Sequence, residues 1–233
     1  MRKLGYALIA ILLTASVICA FKLCVIAKEN RDNEAAFSEI EQRIRDDENP
    51  YRELIAGNSD FIGWISISGT QINYPIMQSR DNPDYYLKHS FEKEYSRFGV
   101  PYLDSDCVIG QSNNLIVYGH HMKDGSMFAD LVKYEESEFW LEHQFVEFNT
   151  VDAKEEYVVI SAFAYDTNNE EFNYTHFTDM DEDEFAEYIR EVKSRSIYDS
   201  AVTAEYGDEL LTLSTCEYSH DNGRFVVVAK RAK

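Results

Sequence analysis

Residues 210–230 read LLTLSTCEYSHDNGRFVVVAK. Two β-patterned runs, 210–215 and 225–230, flank a turn-forming cluster of His220, Asp221, Asn222 and Gly223. The segment therefore predicts the last two strands of the fold, joined as a hairpin. Cys216 ends the first run and Arg224 opens the second, so a hairpin returns Arg224 toward Cys216. A strand end holds a side chain firmly while leaving it open to a groove, which suits a thiol nucleophile. An arginine beside it can lower the thiol pKa and hold an oxyanion. The competing reading pairs Arg224 with Glu217 or Asp221 as an ordinary surface group.

Working outward from this hairpin, Phe185, Tyr188, Ile189 and Val192 share one face of a helix over 181–195. Asp181, Glu182, Asp183 and Glu184 open it, where acids complement the helix dipole. A calcium site at this acidic run lacks the EF-hand spacing. Residues 145–149 and 157–165 predict a long hairpin across 151–154, and residues 127–134 and 137–140 read as helical. Residues 115–118 and 99–103 are short strands. Residues 61–67 and 72–76 flank Ser68-Gly69-Thr70-Gln71 as another hairpin. Many short strands with a few inserted helices predict a mostly β fold, a largely antiparallel sandwich or barrel.

The chain has 233 residues, enough for one domain of ordinary size and an appendage. Hydrophobic content of 45% argues against disorder, and a formal charge of −20 argues against nucleic acid, whose phosphates need Lys and Arg. The first 27 residues hold Arg2, Lys3 and Lys22 and no acid, so the remainder is more acidic still. That surface suits solubility or cationic partners.

Residues 4–21 are apolar, followed by Lys22 and a second apolar run, 23–27. At about 1.5 Å per residue the first run approaches the ~30 Å hydrocarbon core, and Lys22 can snorkel to lengthen it. We read residues 1–27 as an uncleaved signal anchor, with Arg2 and Lys3 inside and everything after residue 28 outside the cell. A cleaved signal peptide is the rival reading, with weak small-residue sites near Ala15 and Ala20. Residues 28–56 are charged, with Phe37, Ile40 and Ile44 on one helical stripe. Asn49 and Pro50 predict a break there and a new helix start. This gives an anchor (1–27), a linker of two short helices (28–56) and a catalytic domain (57–233).

Cys19 and Cys24 sit in the apolar span. Cys107 and Cys216 remain outside it, and cysteine count alone leaves two readings even: a disulfide between them, or a free reactive Cys216. No C-x-x-C pair suggests zinc or a thioredoxin site, and neither metal nor cofactor is expected. Of six histidines, His89, His143 and His176 read as surface groups and His220 as a turn residue. His120 follows the apolar strand 115–118 and Gly119, which lets the backbone approach closely. It is the candidate partner for the thiol, although a strand-end histidine is often structural.

Taken together, these residues resemble the sortase family. Thr212-Leu213-Ser214-Thr215-Cys216 matches its T-L-x-T-C signature, Tyr118-Gly119-His120 matches the strand carrying its histidine, and Arg224 follows where the family carries its arginine. Class B is indicated by the helical lead-in at 28–56, by Asn73-Tyr74-Pro75-Ile76-Met77-Gln78, by the segment from Gly119 to Phe128, and by the helix at 181–195. The resemblance covers roughly residues 30–233. It implies an eight-stranded, mostly antiparallel β-barrel. It also implies catalysis by His120, Cys216 and Arg224, and substrate contacts from Tyr118, Ser214, Thr215 and Glu217. The implied reaction cleaves a sorting signal of the L-P-x-T-G or N-P-x-T-x type after Thr in a secreted protein. The acyl group then passes to an amine of a peptidoglycan precursor or of a pilin. The second histidine, His121, varies among relatives and receives no chemistry.

Three alternatives stay open at this level. A cysteine endopeptidase would release the product by hydrolysis. A pilin polymerase would use a lysine acceptor. A tethered binding module would not need the thiol at all.

Overall fold

Alternation of apolar residues is realised as eight strands that close on themselves. In the computed structural model these are β1 (Phe61–Ser66), β2 (Asn73–Met77), β3 (Tyr102–Leu103), β4 (Asn114–Tyr118), β5 (Phe145–Thr150), β6 (Lys154–Asp166), β7 (Leu210–Glu217) and β8 (Gly223–Arg231). The structure describes residues 2–46, 51–168, 171–217 and 222–232, the side chains of 2–5, 7, 8, 10, 44–46 and 217 excepted. The expected Asn49–Pro50 break and the turn position of His220 lie outside the described residues.

Neighbours run β1-β2-β3-β4-β7-β8-β6-β5 and back to β1. Closure leaves no open sheet edge. Six ladders are antiparallel, and β2–β3 and β4–β7 are parallel. All three expected hairpin pairings, β1–β2, β5–β6 and β7–β8, are present. The expected strand over 99–103 pairs only at Tyr102 and Leu103. Gly99 takes φ +60 and Pro101 has no N–H to give, so the ladder starts late. Ile65, Ile76, Val117, Phe148, Ile160, Leu213 and Val227 are fully buried in the core. Each contributes roughly 1.5–3 kcal/mol by leaving water.

The expected helix over 127–134 is a 3-10 helix, Ala129–Glu135, followed by α3 (Ser137–Glu142). The helix before β7, α4 (Glu182–Arg195), opens with a capping box: Asp181 accepts from the Glu184 N–H, and Glu184 accepts from the Asp181 N–H. The acidic run is thus a helix start. Phe185, Tyr188, Ile189 and Val192 are buried along one face. Among the described residues no cluster of three metal-type side chains exists.

The chain divides into two units, Met1–Pro50 and Tyr51–Lys233. The first is a single helix, α1 (Arg2–Asp46), and the short α2 (Arg52–Gly57) belongs to the second. α1 passes through residues 27 and 28 without a break. Between residues 6 and 46 there is neither Gly nor Pro to break it. Residues 11–43 lie in a helix long and apolar enough to cross a membrane. Leu12, Leu13, Val17, Ile18 and Phe21 are all exposed on it.

The parallel β4–β7 pair is stitched below the core by polar groups. Asn114 is fully buried: its Oδ1 accepts from the Thr212 hydroxyl at 2.9 Å, and its Nδ2 donates to the Phe177 carbonyl at 2.7 Å. The Tyr188 hydroxyl of α4 lies 2.7 Å from Thr212 Oγ1. Asn114→Ala strands these partners in the interior. It is expected to lower unfolding free energy by about 2–4 kcal/mol in urea titrations. Asp181→Ala, which removes only an exposed cap, should cost about 1 kcal/mol.

Candidate active site

The register of three adjacent strands assembles the site. β4 and β7 run parallel with Tyr118 opposite Ser214. The Gly119 N–H donates to the Ser214 carbonyl at 3.0 Å, which carries the pairing one residue beyond the strand. His120 and Cys216 each lie two residues past that pair, so both reach the same end of the barrel. β7 and β8 run antiparallel with Cys216 opposite Arg224. His120, Cys216 and Arg224 all line one groove of about 380 Å³.

Gly119 makes the exit of β4 possible. A Cβ there would lie 2.6 Å from the Phe128 ring, which is fully buried. The Phe128 N–H in turn donates to the His120 carbonyl at 2.8 Å. The segment from Gly119 to Phe128 thus folds back on itself and fixes the backbone of His120. The His120 imidazole is half-buried, and its Nε2–H donates to the Leu87 carbonyl at 2.7 Å.

Cys216 is half-buried and free. Cys107 is also free but fully buried. Its Sγ donates to the Asn114 carbonyl and accepts from the Ile116 N–H, both at 3.4 Å. The disulfide reading therefore fails. Burial pushes the Cys107 thiol up to about 12, so it stays protonated and unreactive. Arg224 is half-buried, and its Nη1 donates to the Gly223 carbonyl at 3.0 Å. A guanidinium has five N–H donors, so most remain for a ligand.

The groove also takes in Tyr118, Ser214 and Thr215. Tyr118 donates to Asp104 Oδ2 at 2.7 Å. Burial, and then that carboxylate, hold its phenol far above the ordinary range, so it remains a neutral donor. Ser214 Oγ lies 2.7 Å from the Tyr174 hydroxyl. Burial pushes that phenol up to about 12. The Thr215 hydroxyl is buried without a hydrogen-bond partner among the described residues. Glu217 closes β7 opposite Gly223, but its side chain lies outside those described.

Sequence reasoning did not single out several groove residues: Asp84, Leu87, Tyr102, Asp104 and Tyr174. Asp104 sits just after a strand end, the one local signal available. Tyr102 lies in the two-residue β3, Leu87 and Tyr174 in short 3-10 turns, and Asp84 in an irregular segment. His121 received no chemistry, yet its Nδ1–H donates to the Cys216 carbonyl at 3.0 Å. His89, His143 and His176 lie outside the groove lining. His89 bonds to the Tyr85 carbonyl and stacks on that ring, and His143 bonds to the Ser68 carbonyl.

The arrangement offers a thiol, an imidazole and a guanidinium around one concave site, which is the equipment of covalent acyl transfer. Comparison with known proteins points the same way. A family model described as the sortase domain matches residues 65–232. The Sortase B of Listeria monocytogenes is 34% identical over 243 aligned positions, covering 97% of this chain and 96% of that protein. The Sortase B of Staphylococcus aureus is 32% identical, covering 96% and 94%. A solved Staphylococcus aureus sortase B–substrate complex superposes with a TM-score of 0.80 at 31% identity, over 88% of this chain and 99% of that one. Clostridium perfringens Sortase B gives 0.72 at 30% identity, over 78% and 99%.

The contrast between the two thiols of the barrel predicts a labelling pattern. At about pH 8 a thiol held near 12 is thiolate to roughly one part in ten thousand. Peptide mapping after brief iodoacetamide treatment of the native protein should find Cys216 alkylated and Cys107 intact. Cys107 should react only after denaturation.

Proposed function

The chain belongs to the sortase family, among the class B cysteine transpeptidases of cell-wall anchoring, and from that premise we propose that Cys216, His120 and Arg224 carry its chemistry. The observation that supports this most is the strand register, which delivers a thiol, an imidazole and a guanidinium to one groove. In the proposed reaction the Cys216 sulfur attacks the Thr carbonyl carbon of a sorting signal of the L-P-x-T-G or N-P-x-T-x type. Arg224 holds the oxyanion. His120 gives a proton to the leaving amine as the C–N bond breaks, which leaves a thioester on Cys216. An amine of a peptidoglycan precursor then attacks that thioester, loses its proton to His120 and frees the thiol.

Tyr118, Ser214, Thr215 and Glu217 are proposed as the substrate-contacting residues. The presence of Tyr118, Ser214 and Thr215 in the groove lining supports this for three of them. The similarity to a sortase B solved as a substrate complex supports reading the groove as the sorting-signal site.

Residues 1–27 are proposed as a single-pass anchor, residues 28–56 as a helical linker and residues 57–233 as the extracellular catalytic domain. A helix whose apolar side chains are exposed on every side is stable in lipid and costly in water. Anchoring would hold the enzyme where secreted substrates and lipid-linked acceptors both reach it.

Product masses from a library of sorting-type peptides, with and without an amine acceptor, test the proposal. Wild type should cleave after Thr and shift from acid to amide product as amine is added. Cys216→Ala should abolish turnover. Arg224→Lys should lower it by about 10²-fold, as loss of an oxyanion donor does. Hydrolysis alone under saturating amine, or no cleavage of any such peptide, would contradict it.

A further inference from the structure

A carbonyl oxygen carries no hydrogen, so the 2.7 Å contact between His120 Nε2 and Leu87 requires Nε2 to be the donor. In the neutral ring the lone pair then sits on Nδ1. In the imidazolium the Nε2–H is still present. The ring can therefore gain and lose a proton at Nδ1 without breaking its hold on Leu87. In many histidine-dependent enzymes a carboxylate orients the ring. Among the described residues no carboxylate is hydrogen-bonded to His120, and a backbone carbonyl stands in that place.

That carbonyl is itself seated with care. Leu87 ends a 3-10 turn, Tyr85–Leu87, whose central Tyr86 is fully buried. The Tyr86 hydroxyl donates to Asp60 Oδ2 at 2.8 Å and accepts from Asn58 Nδ2 at 2.9 Å. Its carbonyl accepts from the Val100 N–H at 2.9 Å. Directly against the turn lies Gly99, at φ +60. A Cβ there would sit 2.4 Å from the Tyr86 oxygen and 2.7 Å from the Leu87 oxygen. Both are backbone atoms, so any side chain at 99 must displace the Leu87 carbonyl or the turn that carries it.

We infer that the Leu87 carbonyl anchors His120 so that proton exchange in the groove runs through Nδ1, and that Gly99 is the positioning residue that seats this carbonyl. The inference rests on the transpeptidase reading for its role in turnover. On acylation the Cys216 sulfur bonds the Thr carbonyl carbon, the C–N bond breaks, and the Nδ1 proton passes to the departing nitrogen. On deacylation the acceptor nitrogen bonds that carbon, the C–S bond breaks, and Nδ1 takes the acceptor's proton. Nε2 stays donated to Leu87 throughout.

The test is nitrogen NMR of the full chain in detergent micelles with ¹⁵N-labelled histidine, the His120 signals being assigned against His120→Gln. Above the titration of His120 the neutral ring should show a pyridine-like shift at Nδ1 and a pyrrole-like shift at Nε2. The opposite assignment, or a freely averaged pair, overturns the anchor. No substrate is needed, so this result stands apart from any failure of the transpeptidase reading. Gly99→Ala should move His120 toward a tautomer mixture, alter the pH–rate profile and lower kcat by roughly tenfold or more, with KM within about twofold. Gly207→Ala is the control: Gly207 also has positive φ, +98, but a Cβ there meets nothing within 4 Å. It carries comparable backbone strain and should leave the rate and His120 unchanged. A folded Gly99→Ala with the wild-type tautomer and pH profile overturns the role of Gly99. If that variant does not fold, the wild-type spectrum still decides the anchor.

Discussion

The parallel pairing of β4 with β7 is the constraint on which the site depends. Antiparallel neighbours can be joined by a short turn, but a parallel pair needs a long crossover. Here the chain leaves β4 at Tyr118 and returns at Leu210 only after passing through α3, β5, β6 and α4. That path gains nothing locally and is held by what it buries. The reward is register. Tyr118 stands opposite Ser214, so the next two residues of each strand arrive together at the rim. A one-residue slip would turn Cys216 to the other face of the sheet and separate it from His120 and Arg224.

Two devices keep the register. Below the rim, Asn114, Thr212 and Tyr188 form a buried polar chain that spans β4, β7 and α4, and it is satisfied in only one alignment. At the rim, Gly119 lets the Phe128 ring pack against the backbone, and the Ser214 carbonyl accepts its N–H. β8 then adds Arg224 through an ordinary hairpin register. Cys216 and Arg224 thus sit on paired strands, and His120 lies just past the end of β4. Much of the groove wall, by contrast, comes from loops such as the one carrying Asp84 and Leu87.

What was legible in the sequence follows from range. Period-two runs revealed β1, β2, β4 to β8 and their hairpins, because alternation is a local property. The nucleophile run and its arginine were legible for the same reason: they share one hairpin. His120 was legible as a candidate partner of Cys216 from its strand-end position, and the resemblance strengthened that reading, but 96 positions separate the two and no local pattern announces a parallel pair. Leu87 and Tyr174 reach the groove from segments without periodicity, so nothing in their neighbourhoods marked them, and Asp104 was marked only by the strand end before it. The His121 contact with the Cys216 carbonyl depends on how the loop folds back. α1 runs unbroken through residue 28 although the composition changes there from apolar to charged. Helix geometry responds to Gly and Pro, and neither occurs there.

The central claim is that covalent catalysis runs through Cys216 at the end of β7, and not through the buried thiol of Cys107. Its most direct test is to capture the acyl-enzyme. The full chain is mixed with a sorting-type peptide without amine, quenched in acid, digested and mapped by mass spectrometry. The account predicts one hydroxylamine-labile adduct, the peptide fragment ending in Thr, on Cys216. An adduct on Cys107, or turnover that persists in Cys216→Ala with no covalent species, would contradict it.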